Sequence, residues 1–209
     1  MIKPKKVIAI GDVHGCYTKL KALLKKHTNS GAELIFLGDL IDRAPEPDGD
    51  KKVLKLITYM QQQPRRHGFT GVTVLRGNHE QLCIDSMDMD PDDLLDWHVN
   101  GADPDFVTWL HANPKYLKWM KQLPYYAVRG NYLFVHGGVR PNVPLCDQTA
   151  EDLMWIRKPF LTQNHGLPYT VVHGHTVQFS ETPVYKQNRI AIDLGACFGG
   201  PLCSLPLVV

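Results

Sequence analysis

Six short apolar runs punctuate the chain: Val7–Ile10, Leu34–Leu37, Val72–Leu75, Tyr132–Val135, Thr170–Val172 and Ile190–Ile192. Each is bounded by polar or turn-forming residues and predicts a buried strand. Between the early runs the spacing changes to that of helices. Leu20, Leu23 and Leu24 share one face after Tyr17, and Val53, Leu56, Ile57 and Met60 share another. Strand, helix, strand, helix, strand predicts an α/β layered fold. From Tyr125 onward strands dominate, which predicts a second, more antiparallel sheet and so a two-sheet sandwich flanked by helices. The stretch from about 85 to 122 reads as a helical insertion, with Asp103 as an N-cap and Pro104 at the first helical position. It holds three of the four tryptophans, Trp97, Trp109 and Trp119, and either packs on itself or forms a wall or lid over a site. The sequence shows no internal repeat, and one domain over residues 1–209 is expected.

Composition narrows the class without naming a chemistry. With 44% apolar and 21% charged residues the chain is an ordinary globular one. A net charge of +2 gives no hint of a nucleic-acid track. No segment approaches the length of a membrane span. The basic start, Met1 to Lys6, precedes an apolar run too short for a signal peptide. Five cysteines with no C-x-x-C form neither a disulfide framework nor a thiolate zinc site, so a cytoplasmic location is expected.

The candidate chemistry lies at the strand ends. Ile10 leads into Gly11-Asp12-Val13-His14-Gly15 and Leu37 into Gly38-Asp39-Leu40-Ile41-Asp42-Arg43. Leu75 leads into Arg76-Gly77-Asn78-His79-Glu80, Val135 into His136-Gly137-Gly138, and Val172 into His173-Gly174-His175. Strand ends of an α/β sheet converge at one edge, where ligands bind, and glycine allows sharp turns and close approach there. One such Asp or His alone is usually a turn, cap or core residue; five glycine-flanked strand ends together point to a site. Asp, His and Asn without thiolate suit manganese, iron or zinc. They are too many for one tetrahedral ion, whereas two ions about 3.5–4 Å apart, bridged by one carboxylate, would use them all. Arg43 and Arg76 beside them are candidate phosphate binders, since guanidinium groups grip phosphate oxygens in pairs and keep their charge. His79, next to the Asn, is a candidate general acid, with Asp42 holding its ring.

These blocks resemble, in order, the signature of the phosphoprotein phosphatase family within the calcineurin-like metallophosphoesterases. The length and the Gly174-His175-Thr176 block look most like its compact bacterial and phage members. The resemblance implies that fold and a dinuclear centre, most readily of manganese. Asp12, His14 and Asp39 would hold one metal, and Asp39, Asn78, His136 and His175 the other. It also implies Arg157, from Trp155-Ile156-Arg157, as a third phosphate binder, and Ile192-Asp193-Leu194-Gly195 as part of a closing strand pair near the site. The implied reaction is metal-dependent removal of phosphate from phosphoserine or phosphothreonine proteins, with phosphotyrosine as a further candidate, by direct attack of a hydroxide shared between the ions. Two positions depart from the pattern. Ala44 stands where Gly is usual, which leaves the loop shape open, and His173 competes with His175 as the ligand.

Rival readings are a hydrolase of dinucleoside tetraphosphates, a metallo-nuclease, and a non-catalytic scaffold. The charge gives the nuclease no support, and a scaffold is expected to have lost ligands that are present here. Asp85, Asp88, Asp90, Asp92, Asp93 and Asp96 read as a solvated face with helix caps, or as a surface for basic phosphopeptides. Cys16 is a packing residue or a redox-sensitive thiol. His27, His67, His98, His111 and His165 are expected at the surface.

Overall fold

The computed structural model describes residues 5–87 and 90–209. Met1 and Asp88 lie outside them, as do Ile2, Lys3, Pro4 and Met89.

All six apolar runs are strands. In chain order the elements are β1 (Lys6–Ile10), α1 (Tyr17–His27), β2 (Glu33–Phe36), α2 (Gly49–Gln62), β3 (Gly71–Val74), α3 (Asn78–Ser86), α4 (Pro91–Val99), α5 (Pro104–Ala112) and α6 (Pro114–Met120). Then come β4 (Tyr126–Arg129), β5 (Tyr132–Val135), α7 (Ala150–Trp155), β6 (Thr170–His173), β7 (Val184–Lys186), β8 (Arg189–Ala191) and β9 (Ser204–Val208). They build two sheets, ordered β3-β2-β1-β9 and β4-β5-β6-β8-β7.

The runs are continuous because most strands are buried on both faces. In β1, Ile8 and Ile10 face the helices while Val7 and Ala9 face the other sheet; in β2, Leu34 and Phe36 face the helices while Ile35 faces the other sheet. Phe134 of β5, Val172 of β6 and Ile190 of β8 fill the layer between the sheets, with Leu133, Val135 and Val171 on the far side. The result is helices, sheet, sheet and an outer layer that includes α7. The second sheet is less antiparallel than its sequence suggests: β5–β6 and β6–β8 are parallel, and only β4–β5 and β7–β8 are antiparallel. The last strand, β9, leaves that half of the chain and pairs antiparallel with β1.

In α2 the buried face is Val53, Leu54, Ile57 and Met60; Leu56, expected there, is only half-buried. Helices α4, α5 and α6 each start at a proline, which has no N–H to leave unpaired. Asp90 and Asp103 cap α4 and α5 by accepting from the amides of Asp92 and Asp105. These helices do not pack only on one another. Trp97, Phe106, Leu110, Tyr116 and Met120 join the same core as Ile8, Ile10 and Phe36. Asp85, Asp90, Asp92, Asp93 and Asp96 are exposed, as a solvated face with a cap requires. His165 is not at the surface: it is fully buried, with its ring between the Asn188 carbonyl and the Leu167 amide.

Candidate metal centre and phosphate cleft

Strands β1, β2 and β3 run parallel, as do β5, β6 and β8, so the loops after each trio gather at one edge. The two gatherings are stitched together. The Asp12 carboxylate accepts the His175 amide at 3.0 Å, and the His136 ring reaches the Leu37 carbonyl at 3.0 Å. Gly174 and Gly77 sit against the Asp12 and Asp39 carboxylates so closely that a Cβ at either would overlap them. Five residues of the predicted site have positive φ without being glycine: His14, Asp39, Asp42, Arg43 and His175. Such backbone costs about 1–3 kcal/mol per residue and survives only where neighbours dictate it. Arg43, and not Ala44, takes the left-handed turn at φ 58°. The loop therefore needs no glycine at 44.

Glu80 is the neighbour that dictates much of this. Its buried carboxylate accepts from the amides of Leu40 at 2.7 Å and of Asp39 and Gly77 at 2.9 Å. One side chain thus locks the loop after β2 to the loop after β3, and places Asp39 opposite Asn78.

Asp39 lies at the centre. Its Oδ2 is 3.3 Å from His136 Nε2, 3.6 Å from His14 Nε2 and 3.9 Å from His79 Nε2. Asn78 Oδ1 is 2.8 Å from both His136 Nε2 and His175 Nδ1. Among the described residues, two groups have ligand atoms within 4.8 Å of one another: His14, Asp39 and His79, and Asp39, His136 and His175.

Three observations fit this cluster to cations. Each of three imidazoles has its far nitrogen on a backbone carbonyl: His14 Nδ1 on Ile41, His136 Nδ1 on Leu37 and His175 Nε2 on Trp155. With the far nitrogen donating, the neutral rings of His14 and His175 keep the near lone pair for the cleft, as in metal-bound histidines, and His136 presents its Nε2 to Asp39 and Asn78. Next, Asp12 Oδ1 is buried with no hydrogen-bond partner. Finally, the cleft demands positive charge. Burial together with Asp193 and Asp39 raises the Asp12 carboxyl well above its usual range. Burial also works against a charged His136, yet the carboxylates of Asp39, Asp12 and Glu80 prevail and raise it to about 9. His14 and His175 are pushed down by burial to about 4 and about 3, which leaves both neutral at pH 7.

His173 is elsewhere. Its ring stands edge-on to Phe160 and bonds the Gly174 carbonyl, outside the cleft lining. Asp193, on the loop after β8, does line the cleft, beside Asp12 and His14. It obeys the same strand-end rule that picks out Asp12 and Asp39.

His79 and Asp42 form a buried pair, Nδ1 to Oδ2 at 2.7 Å. The Trp97 indole N–H donates to both Asp42 oxygens, at 3.0 and 2.9 Å. Burial raises the Asp42 carboxyl and lowers the His79 imidazole, so both favour their neutral forms and can share a proton between them.

The three arginines separate. Arg43 and Arg157 line the cleft. Arg43 Nε is held by the Asn100 carbonyl at 3.1 Å, and its guanidinium lies 5.9 Å from the Phe198 ring centre. Asn100, just after α4, also lines the cleft, so the helical stretch forms part of its wall. Arg76 does not line it. Its guanidinium is occupied by Gln81 at 2.9 Å, Tyr125 at 3.1 Å and the Lys121 carbonyl at 2.6 Å. Nearness in sequence to Asn78 misleads here, because the chain turns between the end of β3 at Val74 and the start of α3 at Asn78, and Arg76 is drawn to Gln81, Tyr125 and the Lys121 carbonyl.

A further buried acid lies near Asp42. Asp50 is 2% exposed, and burial with the neighbouring Asp42 and Asp103 carboxylates raises its carboxyl from 3.8 to about 8. The folded state therefore holds this proton more tightly than the unfolded chain, and stability falls as pH rises from about 4 to about 8. Asp50→Asn keeps an acceptor for the Asp42 amide and removes the titration. Its Tm advantage over wild type is expected to be small at pH 5 and to grow by pH 8, where each 1 kcal/mol moves Tm by roughly 2–4 °C. Equal differences at both pH values, by calorimetry, would contradict this origin.

The chain is similar in sequence and in fold to known proteins. The chain is 24% identical over 215 residues to serine/threonine-protein phosphatase 1 of Salmonella typhimurium, covering 94% of this chain and 89% of that one. It is 26% identical over 239 residues to the asymmetrical bis(5'-nucleosyl)-tetraphosphatase PrpE of Anoxybacillus flavithermus, covering 94% and 88%. The crystal structure of a cold-active protein-tyrosine phosphatase from a psychrophilic Shewanella shares the fold, with a TM-score of 0.67 and 22% identity over 97% of this chain and 75% of that one. The calcineurin-like phosphoesterase profile matches residues 5–198, a span that contains every one of the converging Asp, Asn and His residues. With two sheets, helical flanks and this donor cluster at their shared edge, the chain belongs to the calcineurin-like phosphoesterase family.

Proposed function

We propose that this phosphoesterase is a phosphomonoesterase acting on phosphoserine and phosphothreonine proteins. Asp12, His14 and Asp39 would hold one divalent ion; Asp39, Asn78, His136 and His175 would hold the second, with manganese favoured over iron or zinc. Bound ions would supply positive charge to the phosphoryl oxygens and lower the pKa of water. Arg43 and Arg157 grip the oxygens from the cleft mouth. Arg76, with its two terminal nitrogens bonded to Gln81, Tyr125 and the Lys121 carbonyl, braces the loop between α6 and β4. His79, oriented by Asp42 and Trp97, gives its proton to the departing alkoxide oxygen.

One observation favours a macromolecular monoester: the size of the cleft. Its volume is about 130 Å³, against roughly 300–1,000 Å³ for pockets that enclose whole small molecules. It admits a phosphoryl end and leaves the rest of the substrate on the surface. A second reading, hydrolysis of dinucleoside tetraphosphates, is favoured by the PrpE relative, whose similarity matches that of the phosphatase.

The test is to assay manganese-loaded protein in parallel on an aryl phosphate, phosphoserine and phosphothreonine peptides, and diadenosine tetraphosphate. The kcat/KM for phosphopeptides is expected to exceed that for the tetraphosphate. A tetraphosphate cleaved much faster than every peptide selects the second reading.

A further inference from the structure

Beside the cleft runs a shallow groove of about 420 Å³. Its lining includes Val177, Phe179, Glu181, Leu194, Phe198 and Pro201. Val177 and Phe198 line the cleft as well, so the groove and cleft are continuous. Phe179 is completely exposed and Phe198 is 65% exposed. Two phenyl rings left in water along one groove leave apolar surface that a ligand can cover.

Both loops that carry the rings are tied in place. Lys19 Nζ, on α1, donates to the carbonyls of Ala196 at 2.8 Å and Gly200 at 2.6 Å, which pins the loop bearing Phe198. Gly195 and Gly199 supply its left-handed turns. The Gln178 amide donates to the Asp193 carbonyl at 2.8 Å, and Ser180 Oγ donates to the Thr182 carbonyl at 2.9 Å, on either side of Phe179. A surface held in shape before binding loses less entropy when it binds.

We infer that this groove binds an apolar side chain of the phosphopeptide, a residue or two from the phosphorylated one. The inference rests on the phosphoprotein reading of the cleft. Continuity through Val177 and Phe198 puts the groove within reach of residues next to a phosphoryl group held in the cleft. Charge separates peptide from nucleotide: Arg43 sits on the cleft side of Phe198, where the phosphoryl end goes, and Glu181 is the charged residue in the groove lining itself, so a polyphosphate running on toward a base in this groove would pass it unfavourably.

The test is a set of phosphoserine peptides, otherwise glycine and alanine, with one leucine moved through each nearby position. One position is expected to raise kcat/KM by about 10-fold, chiefly through KM, the least that a hydrophobic pocket usually gives. Phe179→Ser removes no buried contact and is expected to bring that ratio close to one. A flat profile with peptides still hydrolysed overturns the groove alone, as does a preference that survives Phe179→Ser. If Phe179→Ser slows diadenosine tetraphosphate cleavage and leaves the peptide ratio intact, the groove takes a nucleobase. Cleavage of the tetraphosphate with no peptide turned over removes the phosphoprotein reading, and the groove assignment with it.

Discussion

His79→Asn is expected to lower kcat on a phosphoserine peptide by about 10²–10⁴-fold, the usual worth of a positioned general acid. The leaving group there is an alkoxide, which needs its proton as the bond breaks. An aryl phosphate with a stable leaving group needs it less, so its loss is expected to be smaller. The geometry supports this division. His79 Nδ1 is held 2.7 Å from Asp42, which directs Nε2 toward the cleft, where it stands 3.9 Å from Asp39. That position also puts His79 in a group able to hold a metal with His14 and Asp39, so metal content must be measured beside the rates. Unchanged metal with selective loss on poor leaving groups identifies the acid; equal losses on both substrates together with lost metal identify a ligand. Trp97→Phe removes the indole donor from Asp42 and keeps a ring beside Phe106. Its effect is expected to be milder and in the same direction.

Much of this site can be read from sequence because glycine, carboxylate and imidazole recur where buried strands end. The six strands are visible for a related reason: burial on both faces turns most of them into continuous apolar runs, while β3 buries only Val72 and Val74 on one face. The strands that escape notice lack that burial. β7 has two exposed residues of three, β4 starts with exposed Tyr126, and β9 exposes Pro206 and Val208 and buries only Leu205. The partner of β9 is also invisible, since β1 lies at the other end of the chain. Within the site, spacing shows which residues come after strands and does not show which way they face. Arg76 and His173 sit beside the right residues and face elsewhere. Glu80 has a legible clue in retrospect, three positions after Gly77, the spacing of a capping box with glycine as the cap. Its hold on Asp39 and Leu40, 41 and 40 positions away, depends on two loops meeting in space.

Asp39→Asn is expected to be the most damaging ligand change, worse than Asp12→Asn or His175→Asn. Asp39 alone belongs to both ligand groups, with its Oδ2 facing His136 and His14. Burial would raise its carboxyl, but the charged His136 imidazole bonded to it outweighs burial and holds it well below the usual range. It is therefore the carboxylate in this cluster most fully committed to its charge. Asparagine keeps the shape and can still accept the His79 amide, which bonds Oδ1 at 3.0 Å, so the loop should stand while the charge is lost. Two readouts besides rate are expected to move. Bound metal per chain, by elemental analysis, should fall further in Asp39→Asn than in either comparison variant. An ion bound only to the folded state stabilises it by about 2.7 kcal/mol at a hundredfold excess over Kd. Chelation should accordingly lower the Tm of wild type clearly and that of Asp39→Asn hardly at all. Full activity in wild-type protein that has been exhaustively chelated and shown to be metal-free would sink the proposed dinuclear centre, and an Asp39→Asn variant with undiminished metal content would remove Asp39 from the bridging role proposed for it.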